Sequence, residues 1–188
     1  MKVINYDNFI EKTLQKLAGQ SADDLFDSYA MRRALRLAGR GIAEQISPDS
    51  PLVGCLIVCE DGNIIGEGFY GSNGLKHAEQ IALEIAMGHA RNSTVYVTLE
   101  PHAHFSRTPP CTDALVEAGV RRVVVAMIDP NPLVAGKGIR KLREHGIQTE
   151  VGLLEKSARR LNRFYIEKFA VRAEKSAGLI APVIVGAN

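Results

Sequence analysis

Nothing in the 188-residue chain forms a basic block. Its Lys and Arg are scattered, with short pairs such as Arg32-Arg33, Arg121-Arg122 and Arg159-Arg160, and the formal net charge is only +2. So small a charge gives little electrostatic hold on nucleic acid or an anionic membrane surface, and no basic, aromatic-lined stretch offers a platform for stacked bases. Long apolar runs are missing as well. The longest near the end, Gly178 to Ala187, is interrupted by Pro182 and falls short of a membrane span. Met1 to Asp7 lack the charged start and apolar stretch of a signal peptide. Cysteine is scarce and odd in number, with Cys55, Cys59 and Cys111 alone, which fits a reducing compartment better than a disulfide framework. These absences predict a cytoplasmic protein with neither a nucleic-acid nor a membrane partner.

What is present reads as one globular domain with a real core: 46% hydrophobic and 23% charged residues, without repeats or low-complexity segments. Residues 1–27 read as a helical arm, with Asp7 as cap, Ile10, Leu14 and Leu17 on one face and an end near Gly19. A second helix is expected over Ser28 to Ile46, from the spacing of Met31, Leu35, Ala38 and Ile42. The pattern then changes. Leu52 to Cys59 is a β-branched apolar run, and Asp61-Gly62 signals a hairpin before a strand over Ile64 to Phe69. Beyond it we expect a helix from His77 to Arg91, a strand from Thr94 to Leu99 and a loop from Glu100 to Pro109. A helix from Ala114 to Ala118, a strand from Arg122 to Ile128, a helix from Lys137 to Glu144 and a strand from Gln148 to Val151 follow, and a last helix from Leu154 to Val171 closes the pattern. Strands alternating with helices after an opening hairpin predict an α/β fold, three layers α/β/α around a mixed sheet. The domain is expected over 28–172, with 173–188 as a tail.

Two clusters carry chemistry. His77-Ala78-Glu79 opens a helix, and Pro101-His102-Ala103-His104 leads through Arg107-Thr108-Pro109-Pro110 to Cys111. The triplet alone is a weak signal. The second cluster is stronger, because imidazoles and a thiol in a loop before a Pro-Pro pair have few structural uses. A catalytic zinc takes three protein donors and keeps a fourth position open. His77, His102 and Cys111 form an acceptable set, with His104 a rival to His102, which is favoured on position. Glu79 is then the proton shuttle of a zinc deaminase, set against the ordinary reading of a first-turn carboxylate favoured by the helix dipole.

These residues resemble the deaminase domain of the bifunctional riboflavin-biosynthesis deaminase–reductase family, in the cytidine-deaminase-like superfamily. The resemblance runs from Tyr29 to Phe169. It is carried by Pro51-Leu52-Val53-Gly54-Cys55, Gly66-Glu67-Gly68-Phe69, His77-Ala78-Glu79 and Thr98-Leu99-Glu100-Pro101, then by Arg107 to Leu115 and Asp129 to Gly138. It implies a five-stranded mixed sheet flanked by helices. It also implies a diaminopyrimidinone substrate bearing a ribosylamino 5′-phosphate, whose 2-amino group leaves as ammonia. By position, His77 and Cys111 match zinc ligands, Glu79 the acid/base, and His104, Arg107, Asp129 and Asn131 residues that hold base, ribose or phosphate. The chain departs from the pattern at His102, where the family has a zinc Cys, at Ser50, where it has an Asn that contacts the pyrimidine, and at Tyr70, where it has a His. Ser106 replaces a usual Gly. A neutral imidazole in place of a thiolate removes one negative charge and makes a bound metal a stronger Lewis acid.

The function expected is a zinc-dependent hydrolytic deaminase of an aminopyrimidine or related heterocycle, with or without a ribosyl phosphate. It is read as stand-alone and diverged from riboflavin biosynthesis, since Ala170 to Asn188 show no dinucleotide-binding pattern. The alternative is a degenerate deaminase domain kept as a binding or partner module. Ser50 and Tyr70 are counted with the substrate-facing residues, and the resemblance implies a homo-oligomer.

Overall fold

A computed structural model describes residue 19 and residues 21–44, 47–71, 76–105 and 108–178, with side chains up to residue 170. Apart from Gly19, the arm helix expected from Asp7 to Gly19 lies outside the described residues. The elements are α1 (Ala22–Arg40) with a 3-10 turn (Gly41–Glu44), β1 (Gly54–Val58), β2 (Ile64–Phe69), α2 (Ala78–Ile85), β3 (Thr94–Val97), α3 (Cys111–Glu117) and β4 (Arg122–Val125). They continue with α4 (Lys137–Glu144), β5 (Gln148–Val151), α5 (Glu155–Leu161) and α6 (Arg163–Gly178). The strands form one five-stranded sheet in the order β2-β1-β3-β4-β5. β1 runs antiparallel to β2 and β3, whereas β3, β4 and β5 are parallel. The predicted α/β architecture with a mixed sheet is the one observed.

Alternation along the central strands gives the sheet two buried faces. Cys55, Ile57, Val95, Val97, Val123 and Val125 point to one side and pack with Ala78 and Ala82 of α2, Leu115 of α3, and Ile139 and Leu142 of α4. Leu56, Val58, Tyr96 and Val124 point to the other and meet Ala30, Met31, Ala34 and Leu37 of α1, Ala158 of α5 and Tyr165 of α6. The helices therefore make two outer layers.

Several boundaries differ from the sequence expectation, each for a local reason. α1 starts at Ala22 rather than Ser28, because the Ser21 hydroxyl accepts from Asp24 N (3.1 Å) and the Asp24 carboxylate accepts from Ser21 N (3.1 Å). This reciprocal cap fixes the first turn. α1 ends at Arg40, and Ile42, expected on its apolar face, is 57% exposed. α2 stops at Ile85, since Met87 (φ 45°) and Gly88 (φ 82°) are left-handed. The single last helix is two, broken at Asn162. The Asn162 side chain donates to Leu52 O (3.0 Å) and accepts from Leu52 N (2.7 Å), which ties the break to the chain entering β1. A buried pin also holds α1 to the sheet: Arg122 and the Tyr96 hydroxyl (2.6 Å) both donate to the Asp27 carboxylate. Burial opposes ionisation of Asp27, and the bonds from Arg122 and Tyr96 overcome it, so its pKa lies below the ordinary value. Among the described residues, no helix is long and apolar enough to cross a membrane.

The contact that places the chemistry is between β2 and α2. A Cβ on Gly68 would overlap the Ala78 carbonyl, and one on Gly66 would overlap the Ala82 carbonyl. The helix therefore lies directly on strand backbone, with His77 and Glu79 at its start. Gly68→Ala is expected to destabilise the fold by about 1–3 kcal/mol through this overlap, seen as a lower urea midpoint. A midpoint equal to wild type would show that α2 can lift off β2 freely.

Candidate active site

His77 caps α2, its N–H donating to Gln80 Oε1 (3.0 Å), and Glu79 follows in the first turn. Cys111 is the first residue of α3, one turn earlier than the helix expected from Ala114. His102 lies between them on the loop leaving β3. Its carbonyl accepts from Thr112 N (3.3 Å) and the Thr112 hydroxyl (3.4 Å), which fastens the loop to the turn carrying Cys111. The ligand atoms of His77, His102 and Cys111 all lie within 4.8 Å of one another, with Cys111 Sγ 3.4 Å from His77 Nδ1. The His77 and His102 ring centroids are 4.5 Å apart.

This cluster is mostly buried, with His77 partly exposed. Cys111 is fully buried, Glu79 is 3% exposed and His102 8%. Among the described residues, neither ring nitrogen of His102 has a partner at hydrogen-bond distance, and Glu79 Oε2 has none either. Buried polar atoms are rarely left so, and a cation held by one nitrogen of His102 would satisfy that atom. Burial, then the neighbouring His77 and His104, push the His102 pKa down to about 4, so its ring is neutral, as a ligand must be. Burial and the Glu79 charge push the Cys111 thiol up. A bound cation is what would release its proton. The residues fit a zinc ion, and the geometric group contains His102 rather than His104.

A cavity of about 190 Å³ opens over the cluster, lined among others by Tyr70, His77, Glu79, His102, His104 and Asp129. Tyr70 packs edge-on to the His77 ring, with centroids 5.5 Å apart, and His104 stands edge-on to His102 at 5.6 Å. The fold thus brings most of the sequence-selected residues to one hollow. Among the described residues, Ser50 and Asn131 are not brought there. Ser50 lines a neighbouring cavity of about 470 Å³, which shares Tyr165 with the first. Asn131 is not among the lining residues, and its side chain accepts from Leu133 N (3.1 Å). Arg107 and Ser106 lie outside the described residues.

The structure adds two residues. Tyr165, on α6, lines the cavity and its hydroxyl donates to both carboxylate oxygens of Asp129 (3.0 and 3.2 Å). No local signal in the sequence marks it, because α6 reaches the site only through the tertiary fold. Glu100 also lines the cavity. Its position between a strand and a proline was a visible signal, but a chemical role for it was not.

Asp129 is 6% exposed. Burial raises its pKa from 3.8 to about 6, against the opposing bonds from Asn131 N and Tyr165. An acid with a raised native pKa binds its proton more tightly folded than unfolded. Its penalty is therefore absent below the unfolded pKa and accumulates as pH rises from about 4 to 6. Asp129→Asn, which can keep both accepted bonds, is expected to match wild type in stability near pH 4 and exceed it by about 1–3 kcal/mol at pH 7.5. Urea titrations at the two pH values check this, and a pH-independent difference would refute it.

Residues 25–127 match the family model of the cytidine and deoxycytidylate deaminase zinc-binding region. The chain is 52% identical over 149 residues to the riboflavin biosynthesis protein PYRD, chloroplastic, of Zea mays, covering 79% of this chain and 37% of that protein. It is 41% identical over 142 residues to the diaminohydroxyphosphoribosylamino-pyrimidine deaminase of Buchnera aphidicola subsp. Schizaphis graminum, covering 76% of this chain and 95% of that one. Among solved structures, RibD of Acinetobacter baumannii superposes with a TM-score of 0.74 at 47% identity, over 79% of this chain and 41% of the other. The chain thus spans well under half the length of the maize and Acinetobacter proteins. The sheet order, the His-Ala-Glu turn on α2 and the shared sequence agree: the chain belongs to the cytidine-deaminase-like superfamily, as a pyrimidine deaminase domain of the riboflavin-biosynthesis type.

Proposed function

We propose that the chain is a zinc-dependent hydrolytic deaminase of an aminopyrimidine or closely related heterocycle. The observation that carries this reading is the buried Glu79, with an unpartnered Oε2, beside three converging metal donors. Zinc held by His77, His102 and Cys111 would supply Lewis acidity and make water acidic enough to react at neutral pH. In the overall change the oxygen of water bonds to the ring carbon, the carbon–nitrogen bond to the amino group breaks, and ammonia leaves. Glu79 moves the protons: it takes one from water and delivers it to the ring nitrogen, then takes the second from the oxygen now bonded to carbon and delivers it to the departing amine. Burial raises its pKa, which brings it nearer the pH at which it can both accept and donate. Tyr70, His104 and Asp129 line the hollow where the ring would be held. Ser50, Arg107 and Asn131 stay assigned to the substrate by the family resemblance alone.

The finer substrate is read as an aminopyrimidine that can carry a ribosyl phosphate, by analogy with the Buchnera deaminase, 95% of whose length the chain spans. That relative also supports a deaminase acting without a fused reductase. Tyr70, which lines the hollow, supports divergence from the family's substrate, and Ser50 does so by the family resemblance alone. Free cysteines at 55, 59 and 111 support a reducing, cytoplasmic setting.

The test begins with elemental mass spectrometry on protein purified without chelator or added metal. Wild type is expected to hold about one zinc per chain, and His102→Ala to lose most of it. Ammonia release from a panel of aminopyrimidines should then fall by at least about 100-fold in Glu79→Gln, with zinc retained. A fully metallated wild type that releases no ammonia from any of them would overturn the reading in favour of a binding or partner module.

We also infer a homo-oligomer, supported by the large exposed side chains Ile85, Met87 and Phe105 around the site-bearing elements. Sedimentation equilibrium is expected to give a mass above the 20.5 kDa of the chain. A monomer at micromolar concentration would remove this expectation.

A further inference from the structure

We propose that Glu100 is a positioning residue that fixes the loop carrying Asp129 against the loop carrying His102. The proposal rests on the deaminase reading for what the two loops do, but its structural basis is independent of it.

Glu100 is the last residue before the metal-donor loop, and it is 4% exposed. Its own N–H donates to Met127 O (3.0 Å), two residues beyond β4. Its carboxylate does not reach into the cavity as a free base. Oε2 accepts from Asp129 N (3.2 Å) and Gly136 N (2.9 Å), and Oε1 accepts from Gly138 N (2.9 Å) and Ile139 N (3.2 Å). All four donors are backbone amides of the segment from Asp129 into the first turn of α4. One side chain thus gathers the N–H groups that this turn and helix start would otherwise leave without partners. The bonds are charge-assisted and buried, where such bonds are strongest.

The packing shows that the segment sits tightly against the residue next to Glu100. A Cβ on Gly138 would overlap the Pro101 carbonyl, and its next neighbour would be Glu100 Cγ at 3.2 Å. Pro101 precedes His102 directly. A shift of the 129–139 segment therefore changes its place relative to the metal donors, and Asp129 moves with it. At its other end Asp129 is steadied by Tyr165. The side chain of Asp129 is held from α6, and its backbone from Glu100.

No neutral residue can replace this carboxylate without conflict. Glutamine offers one acceptor oxygen, and its NH2 group would face two of the four N–H donors. Glu100→Gln should free part of the segment while leaving His77, His102 and Cys111 in place. Hydrogen–deuterium exchange followed by mass spectrometry is the primary readout. Peptides covering 129–139 are expected to exchange about ten-fold faster or more in Glu100→Gln, and those covering 111–117 to stay as in wild type. Zinc per chain should be unchanged. With an aminopyrimidine that wild type deaminates, KM should rise about ten-fold with kcat changed much less, since what is lost is the placing of a binding group. Gly138→Ala should reproduce the KM effect with the carboxylate intact. Leu142→Ala, which empties core volume on the far side of α4, should lower stability without moving KM.

Unchanged exchange over 129–139 in Glu100→Gln would overturn the proposal. So would faster exchange with KM equal to wild type, which would make Glu100 a structural residue only. If wild type deaminates nothing, the deaminase reading fails alone, and the exchange result still decides whether Glu100 fixes the segment. If Glu100→Gln does not fold, Gly138→Ala decides: faster exchange with raised KM supports the proposal, and wild-type values overturn it.

Discussion

Between β2 and α2 there is backbone where most packed pairs have side chains, and the site depends on that closeness. Gly66 and Gly68 face the Ala82 and Ala78 carbonyls, so the helix approaches as near as main chain allows. The N-terminus of α2 is then a fixed point relative to the sheet. His77 and Glu79 inherit that fixity from the helix start. The other donors are set by comparable devices: Thr112 bonds the His102 carbonyl, and Glu100 gathers the amides behind Asp129. Positions in the site are thus controlled largely through main-chain contacts, leaving the His102 ring and Glu79 Oε2 without partners among the described residues. This is the condition under which buried donors can meet a metal or a substrate.

Their being unengaged has an energetic consequence. Both nitrogens of His102 and one oxygen of Glu79 are buried without partners, beside a thiol whose ionisation burial opposes. Such groups weaken the folded state unless a ligand or water satisfies them. Asp129 adds to this cost at neutral pH, since its raised pKa shows that its ionised form is penalised by burial. The stability needed to carry the site comes from elsewhere, from the two-faced sheet and from the Asp27–Arg122–Tyr96 pin at the opposite end of β3 and β4.

The sequence made the architecture legible because the strands are short, β-branched and separated by clear turn signals. The chemistry was legible because His77, Glu79, His102 and Cys111 lie in compact local motifs. Boundaries were less so. The start of α1 turned on Ser21 and Asp24, a cap just outside the apolar periodicity. The break at Asn162 turned on a bond to Leu52, far away in sequence. Tyr165 and the task of Glu100 were hidden for the same reason: each acts through partners that only the fold supplies. Periodicity reports which face is buried and says nothing about which buried polar group will find which amide.

The histidine at position 102 alters the charge balance of this closed space. A divalent cation on His77, His102 and Cys111 would meet one negative charge from the thiolate and one from ionised Glu79, so the group as a whole would be neutral. With a thiolate at position 102, the same ionisation would leave a net negative charge in a buried site, which low polarizability penalises. The imidazole therefore makes ionised Glu79 less costly, while a cation with fewer anionic donors withdraws more charge from whatever occupies its open position. The second effect favours giving up a proton to Glu79, and the first works against it, since a carboxylate that ionises more easily holds a proton less tightly. His102 also arrives neutral, so of His102 and Cys111 only the thiol would have to give up a proton to the metal. The exchange of a thiol for an imidazole is thus compatible with the proton-transfer chemistry of the site, and it shifts more of the anionic character onto the one carboxylate that has to move protons.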